Sequence, residues 1–381
     1  MKKIITYLLT AILFFTATTA VVAQEESSAP EQTPQQEVIQ KPSEFYLGRV
    51  SQVVSDENTD LGGGVTQPVQ KVKIKIVAGA ENGKEIEIDH GSLFSITEEQ
   101  KVKQGELVVI TKAFQSDSEL YYIADKFRIG IIAVVLVLVI AIWAILGRGR
   151  NMGMLISLIG SLVIAYKYLV PRLIVTPDAL PAIILTTLFI LGLLIYIGYG
   201  VSRRNSIILI SSLVTALLGF GLTYLLIKLT GLTGSGGEEA IFLQTGAVDA
   251  LGLKNLLMAG ITVGTLGIIA LVSKKQIDIV ELTQLENKKL NMKQLLAKIL
   301  INPTNSISGY ISVVFLTILG TVLPLIMLFG INQTVPFWVT LNSEFIMGEV
   351  IRLIATVATV VLAVPVTSVV AVNLLTSEKK K

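Results

Sequence analysis

The sequence predicts a polytopic α-helical membrane protein, with about seven transmembrane helices after a signal segment and a small exported β-barrel-like N-terminal domain. Three observations predict this fold class. Hydrophobic residues make up 52% of the 381 positions and charged residues only 15%, whereas a soluble protein carries about 25% charged residues. Residues 45–126 alternate between apolar and charged side chains. Residues 127–376 instead contain long apolar runs.

Residues 1–23 have the pattern of a secretory signal peptide. A basic start precedes an apolar run, and small residues lead to a predicted cleavage after Ala23. An uncleaved anchor is the open alternative, because the apolar run is nearly long enough to span a bilayer. Residues 24–44 are rich in Gln, Glu, Pro and Ser, which predicts a disordered linker.

Residues 45–126 are predicted to form the exported β-rich domain. Val72, Ile74 and Ile76 alternate with lysines, and after Asn82-Gly83 apolar residues alternate with acidic ones, which predicts a β-hairpin. The other predicted strands are Tyr46–Val54, Leu107–Thr111 and Leu120–Ala124. About five short strands favour a small barrel of the oligonucleotide/oligosaccharide-binding or SH3-like kind. Because basic and acidic residues are mixed in this domain, we expect no nucleic-acid binding.

The predicted transmembrane bundle, residues 127–376, contains seven apolar runs that are long enough to span a bilayer. Such runs must be helices, because no water is present in lipid to satisfy their backbone groups. The predicted spans are Ile129–Leu146, Met152–Val170, Ala179–Gly198, Ile207–Leu229, Leu256–Val272, Ile307–Gly330 and Val350–Leu375. Residues 273–300 then combine a helical apolar period with basic residues. This predicts a helix that continues the fifth span and then lies on the membrane surface, where it either connects two spans or docks a partner.

The positions of Lys and Arg predict the orientation, because cytoplasmic loops retain these residues. With the β-rich domain outside, the cytoplasmic loops hold Arg148, Arg150, Arg203, Arg204, Lys274, Lys275, Lys288, Lys289, Lys293 and Lys298, and the basic tail 377–381 follows. The outer loops between spans hold Arg172 and Lys254. We therefore expect a multi-pass protein of the bacterial plasma membrane, with residues 24–126 extracytoplasmic and the C-terminus cytoplasmic.

The residue inventory excludes several kinds of catalytic site. With no Cys, the chain cannot build thiolate nucleophiles or cysteine-ligated metal sites, and a single His leaves little for a histidine-built metal site or triad. The one histidine, His90, follows a predicted strand and is expected to be a turn residue. Gly234-Ser235-Gly236-Gly237 lacks the Lys and the Ser or Thr of a phosphate-binding loop. We expect no enzyme activity, no catalytic residue, no cofactor and no metal site.

Four polar residues around the start of the last apolar run form the candidate pathway or ion site: Asn342, Glu344, Glu349 and Arg352. Asn342 or Ser343 can cap a helix that has Glu344 in its first turn. Glu349 and Arg352 are three residues apart, so they can pair on one helix face. These charges indicate either a cation or proton site or an interfacial cap with an ion pair.

Glycines and prolines inside the apolar runs are candidate helix-break or packing positions. The candidates are Gly260, Gly264, Gly267, Gly320, Pro324 and Pro365. The two prolines indicate either the broken helices that build substrate sites in transporters or simple kinks. The three glycines of the fifth run favour either close packing of a neighbouring helix or a hinge.

Several short segments of the C-terminal third carry a family resemblance. They are Ala259–Gly267, Gly320–Leu325, Leu341–Glu344, Glu349–Arg352 and Val364–Thr367. With the order of parts, these segments resemble the YibE/F-like family of bacterial integral membrane proteins. The resemblance implies an exported N-terminal segment, a small β-rich domain and about seven helices, and it implies no particular reaction. The chain departs from the family pattern at two places. The family has an acidic residue near the position of Ala270, where this chain is apolar. The family also has an Asn-containing stretch, and the corresponding stretch of this chain lies near Ser312.

These observations predict a transport-related membrane protein, a permease or a channel-like passage for a small solute or ion, with the lipid bilayer around it. The alternative is a membrane-anchored scaffold or sensor. In that case the exported domain, residues 45–126, binds a protein partner or an envelope component, and the helices serve as its anchor.

Overall fold

The computed structural model describes residues 44–60, 66–115, 118–147, 152–176, 179–237, 252–286, 290–301, 306–331 and 336–376. The predicted signal segment 1–23, the predicted linker up to residue 43 and the tail 377–381 lie outside these described residues. The chain divides into two compact units, Met1–Leu136 and Val137–Lys381.

The first unit contains an antiparallel half-barrel sheet. Its strands are β1 (Glu44–Asp60), β2 (Thr66–Ala78), β3 (Glu85–His90), β4 (Leu107–Gln115) and β5 (Ser118–Lys126). Because β1 pairs with both β2 and β4, the strand order is β3-β2-β1-β4-β5. Register shifts along β1 mark irregularities of the kind that bend a strand and increase its twist.

The alternation of the sequence decides which face of the sheet is buried. Val72, Ile74 and Ile76 are fully buried, whereas the lysines between them are exposed. Ile88 pairs with Val72, as the predicted hairpin requires. The predicted hairpin is therefore confirmed, although its connection runs over residues 79–84 and Asn82-Gly83 lies inside this longer loop.

The helices follow the sheet in chain order. They are α1 (Ile129–Leu146), α2 (Met152–Val175), α3 (Leu180–Ile197), α4 (Arg203–Thr230), α5 (Leu253–Glu286), α6 (Met292–Ile301), α7 (Ser306–Ile331), α8 (Phe337–Leu341) and α9 (Glu344–Thr376). Among the described residues, seven helices are long and apolar enough to cross a membrane, all except α6 and α8. They indicate a multi-pass membrane protein and coincide with the seven predicted runs.

Two helices extend beyond their apolar runs. α5 continues past the predicted Val272 to Glu286, and α9 begins at Glu344 rather than at Val350. The expected continuation of the fifth run as a helix is therefore confirmed. Hydropathy detects only the apolar part of a helix, whereas packing stabilises the polar turns as well.

The second unit has buried apolar clusters at its two ends. At one end Ile207 of α4, Ile277 of α5 and Ala371 of α9 are buried together. α6 packs there through Leu295 and Ile299, so it is docked on the bundle. Arg204 pairs at this end with Asp278 and Glu281 of α5, and we name it the Arg204 end.

The opposite end, named the Glu344 end, has its own cluster. Leu173 of α2, Ile183 of α3, Ile227 of α4 and Ile351 of α9 meet in it. The loop after α4 and the start of α9 also lie here. The two ends therefore contain different helix termini: the start of α4 lies at the Arg204 end, and the end of α4 and the start of α9 lie at the Glu344 end.

Pro324 and Pro365 lie inside α7 and α9, and both helices continue through them. Of the two alternatives predicted for these prolines, the structure does not have broken helices, since losing one backbone hydrogen bond leaves the others in place, and the simple kink stays a prediction. The irregular turns lie elsewhere. Single π-helical turns interrupt α2 at Ala165–Leu169 and α3 at Leu193–Ile197.

Candidate functional site

The carboxylate of Glu344 is bound by the loop that follows α4. Its Oε1 accepts hydrogen bonds from the backbone N–H groups of Thr233 at 2.8 Å, Gly234 at 2.7 Å and Ser235 at 3.2 Å. The hydroxyl of Thr233 donates to the same oxygen at 2.8 Å, and the hydroxyl of Ser235 donates to Oε2 at 3.3 Å. Successive amides that converge on one anion form a backbone nest.

Glycines allow this loop to wrap the start of α9. Gly231 ends α4 with a left-handed backbone, and Gly234 also has a positive φ of 85°. A Cβ on Gly236 would lie 2.6 Å from the carbonyl carbon and oxygen of Glu344, so only glycine fits there. The loop thus does bind an anion, as a glycine-rich loop can, but that anion is the protein's own side chain.

Glu349 and Arg352 form the ion pair that their spacing predicts. Oε1 of Glu349 lies 3.1 Å from Nη1 of Arg352. Oε2 of Glu349 and Nε of Arg352 are buried, and neither has a hydrogen-bond partner among the described residues. The pair therefore retains one acceptor and one donor that nothing in the described chain satisfies, which is costly in an apolar environment.

Glu349 also lines a cavity of about 500 Å³ between α7, α8 and α9. The described lining residues are Phe315, Ile318, Leu319, Val322, Ile326, Gly330, Phe337, Thr340, Leu341, Ile346, Glu349, Val350 and Leu353. Among them only Glu349 is charged, and only Thr340 carries a hydroxyl group. A volume of this size with apolar walls and few polar groups is typical of small-molecule sites.

The four residues of the predicted cluster therefore do not form one site. Glu344 faces the loop after α4, whereas Glu349 and Arg352 pair beside the cavity. Asn342 is exposed at the end of α8. Ser343 donates its hydroxyl back to the carbonyl of Thr340 at 2.7 Å. The backbone carbonyl of Ser343 accepts from the N–H of Met347 at 2.9 Å, and the side-chain cap predicted for Asn342 or Ser343 stays a prediction.

The other predicted positions also lie away from the cavity lining. Pro324 and Gly320 are exposed on α7, and Pro365 is half-buried in α9. Gly260, Gly264 and Gly267 lie on the exposed face of α5, where a Cβ would meet no described heavy atom within 4 Å. Among the described residues, nothing packs closely on these three glycines, and the alternative of a hinge stays a prediction.

The close helix approach lies instead at Gly219 of α4. A Cβ at this position would lie 2.5 Å from Oγ1 of Thr359 in α9. Gly219 belongs to a stripe with Ser211, Thr215 and Thr223, which recur every four residues. That small-residue spacing is the signal from which the contact could have been predicted.

Buried hydroxyl and amide side chains join the central helices. The Nε2 of Gln276 in α5 donates to Oγ of Ser368 in α9 at 2.9 Å, and Oγ1 of Thr367 donates to Oγ of Ser273 at 3.1 Å. These bonds hold α5 against α9 beside Pro365. They were not predicted, because helical spacing alone does not show which faces meet.

His90 of the sheet unit lies where a strand ends and a turn begins. His90 is the last residue of β3 and is buried, with Nε2 3.3 Å from the carbonyl oxygen of Gln100. Burial holds the pKa of this imidazole below its ordinary value. His90 is therefore a buried strand end that also lies in the turn Asp89–Ser92, as predicted, because the N–H of Ser92 donates to the carbonyl of Asp89 at 3.3 Å.

A satisfied charge network covers part of the same sheet. Glu81 accepts from Lys112 at 2.6 Å, from Lys84 at 2.8 Å and from the hydroxyl of Tyr121 at 2.8 Å. Hydrogen bonds from Lys112 and then Lys84 lower the pKa of Glu81 to about 2. Since its acceptors are occupied, this network offers no open ligand position. Across the described residues, no group of three or more His, Asp or Glu is arranged to hold a metal ion.

Comparison with known proteins identifies the family. A family model described as YibE/F-like protein matches residues 132–377. No curated protein and no solved structure matches the chain. The matched range includes the cavity, the Glu349–Arg352 pair and the loop that binds Glu344. Because the match extends over most of the chain, this protein belongs to the YibE/F-like family.

Proposed function

We propose that this protein lies in the bacterial plasma membrane and moves a small solute or ion, with the cavity beside Glu349 as its binding site. The observation that carries the proposal is Glu349 itself, the only charged residue among the described residues that line this otherwise apolar cavity. Ionisable groups within membrane helices are costly, and they usually mark substrate or ion pathways.

The exposed apolar surface of the helices supports membrane insertion. None of the residues of α1 is buried, and the outward side chains of α7 are apolar along most of its length. Apolar surface of this extent is unstable in water. Phe337 and Trp338 are exposed at the Glu344 end, as expected of aromatic residues at a membrane interface.

The basic residues support an orientation. Those near the Arg204 end include Arg203, Arg204, Lys274, Lys275, Lys293 and Lys298, whereas Arg172 and Lys254 lie in segments near the other end. By the positive-inside rule, the Arg204 end faces the cytoplasm and the Glu344 end faces outward. Residues 24–126 are then extracytoplasmic and the C-terminus is cytoplasmic.

The test is a flux assay in liposomes that contain the purified full-length protein. A panel of protons, Na⁺, K⁺, amino acids and apolar amines is followed with the native chain and with Glu349→Gln. We expect flux of at least one panel member and a large loss in the variant, because the variant lacks the carboxylate at the cavity. Glu85→Gln, the same change at an exposed residue of β3, is the control. Vesicles that stay tight to every panel member would contradict the proposal.

A second candidate function is supported by the sheet unit. Leu93 and Phe94, in the segment after β3, are exposed by 51% and 63%, and exposed neighbouring apolar side chains favour a protein contact. In this alternative the unit binds an envelope protein and the helices are its anchor. A photo-crosslinking residue at position 94 of the full chain should then capture one defined partner in cells, and the same residue at exposed position 85 should not.

A further inference from the structure

The sheet of the first unit joins helix α1 without a linker. The N–H of Phe127 still donates to the carbonyl of Leu107 in β4, at 2.9 Å. The helical bonds begin at once after it, with the N–H of Ile132 donating to the carbonyl of Arg128 at 3.1 Å. Arg128 is the one residue between Phe127 and α1, so the end of the sheet is fixed beside the start of this helix.

The length of α1 determines the depth of its first residue in a bilayer. α1 has 18 residues, and none of them is charged or buried. At about 1.5 Å per residue the helix is about 27 Å long, whereas the hydrocarbon core of a bilayer is about 30 Å thick. A spanning α1 has no residue to spare, so Ile129 lies at the boundary of the hydrocarbon. Because the head groups extend about 5–7 Å beyond that boundary, the end of the sheet lies among them.

An exposed apolar patch lies beside this boundary. Phe94 lines a small pocket, of about 140 Å³, together with Lys126 and Arg128, the residues that lead into α1. The ring of Phe94 packs on Tyr122 of β5, with 5.3 Å between the ring centroids. Leu93 and Phe94 nevertheless remain exposed, and we name these two residues and Tyr122 the Phe94 patch. Leu and Phe side chains are typical of protein surfaces that insert at the boundary between head groups and acyl chains.

The charges around the Phe94 patch balance one another. Arg128 pairs with Asp125 at 2.6 Å, and Nζ of Lys126 donates to the carbonyl of Glu99 at 2.9 Å. Residues 92–101 and 122–128 together hold three basic and three acidic side chains. Attraction to anionic lipids needs an excess of basic residues, which this surface lacks. The patch therefore offers the membrane apolar surface and no net charge.

We propose that Leu93 and Phe94 insert among the phospholipid head groups of the leaflet that α1 enters, and that they hold the sheet unit against the membrane. The partner of this surface is the lipid bilayer, because the short connection to α1 brings the patch to head-group depth, where a soluble protein would first have to displace lipid. The inference rests on the membrane insertion of α1 and requires no transport activity.

The test is fluorescence quenching of the purified full-length chain in phosphatidylcholine vesicles that contain nitroxide-labelled lipid. Because the native chain has no cysteine, a single NBD dye can be attached at Leu93→Cys, Val137→Cys or Asn82→Cys. Val137 is exposed in α1 and reports whether this helix lies in lipid. Asn82 is exposed in the loop before β3, about 20 Å along that strand from the pocket residue His90. We expect a head-group nitroxide to quench the dye at 93 and not the dye at 82, and an acyl-chain nitroxide to quench the dye at 137.

One variant and a matched control test the apolar contact itself. Phe94→Asp in the Leu93→Cys chain should reduce quenching of the dye to the level at position 82, because a carboxylate opposes insertion. Phe45→Asp makes the same change on β1, at a phenylalanine that is exposed by 67% and does not line the pocket, and should leave quenching unchanged. Adding phosphatidylglycerol to the vesicles should also leave it unchanged, because the patch has no net charge.

The outcomes distinguish this inference from the proposed function. Quenching at 137 without quenching at 93 would overturn the inference, keep membrane insertion, and leave the patch to the protein partner of the second candidate function. Equal quenching at 93 and 82, or quenching at 93 only with phosphatidylglycerol, would overturn it as well. An unquenched dye at 137 would contradict membrane insertion and both proposals. The expected pattern in a protein that moves no panel member would support the inference and contradict transport.

Discussion

Glu344 and Glu349 lie five residues apart in one helix and have different environments. The Glu344 carboxylate is held by three backbone amides and two hydroxyl groups of one loop. The Glu349 carboxylate has one partner, Arg352, and one free oxygen. At the scale of single residues, the first acid joins α9 to a distant loop, whereas the second keeps one buried oxygen without a partner among the described residues.

The stability role of Glu344 can be tested by substitution. Glu344→Gln keeps the size of the side chain but places an amide N–H₂ group near donors, and it removes the charge that strengthens the bonds from Thr233 and Ser235. We expect the free energy of unfolding to fall by about 1–2 kcal/mol. This is near the lower limit of what hydrogen bonds to a charged group contribute, because the site is only half-buried. Thermal unfolding in detergent should show a lower Tm. An unchanged Tm would show that the nest contributes nothing measurable.

At the scale of elements, the contact between α4 and α9 shows why glycines cannot be interpreted by spacing alone. Gly260, Gly264 and Gly267 of α5 have the spacing of a packing motif but face outward. Gly219 of α4 is buried, and Thr359 of α9 occupies the space beside it. Which glycine allows a close approach depends on how each helix is rotated about its axis.

This difference predicts opposite results for one substitution at two sites. Gly219→Ala places a methyl group 2.5 Å from Oγ1 of Thr359, so α4 and α9 must separate and the Tm should fall. Gly264→Ala adds a methyl group in open space, and alanine has the higher helix propensity, so the Tm should stay the same or rise. Thermal unfolding of both variants in the same detergent is the measurement. A destabilised Gly264→Ala chain would indicate that another helix covers that face.

At the scale of the whole molecule, the bundle has two chemically different ends. The Glu344 end contains the nest, the cavity and exposed aromatic residues. The Arg204 end contains ion pairs between α4 and α5 and the docked helix α6. Because the two ends differ in basic residues, the positive-inside rule predicts which end faces the cytoplasm, and labelling can test that orientation.

The absence of native cysteine makes this measurement simple. We expect Thr176→Cys, exposed at the end of α2, to react with a membrane-impermeant maleimide in intact spheroplasts. Lys275→Cys, exposed on α5 toward the Arg204 end, should react only after the membrane is opened. Labelling of position 275 in intact spheroplasts would reverse the proposed orientation.

Local sequence was enough to predict the seven long helices, the β-hairpin, the Glu349–Arg352 pair and the family. Apolar run length, two-residue alternation and three-residue helical spacing each depend on neighbours in the chain, so no tertiary contact is needed to detect them. The nest around Glu344, the contact at Gly219 and the cavity beside Glu349 required the folded structure. Each depends on distant segments meeting; Thr233 and Glu344, for example, are 111 residues apart. Which helix faces meet is decided by packing of the whole bundle, and a single helix does not contain that information.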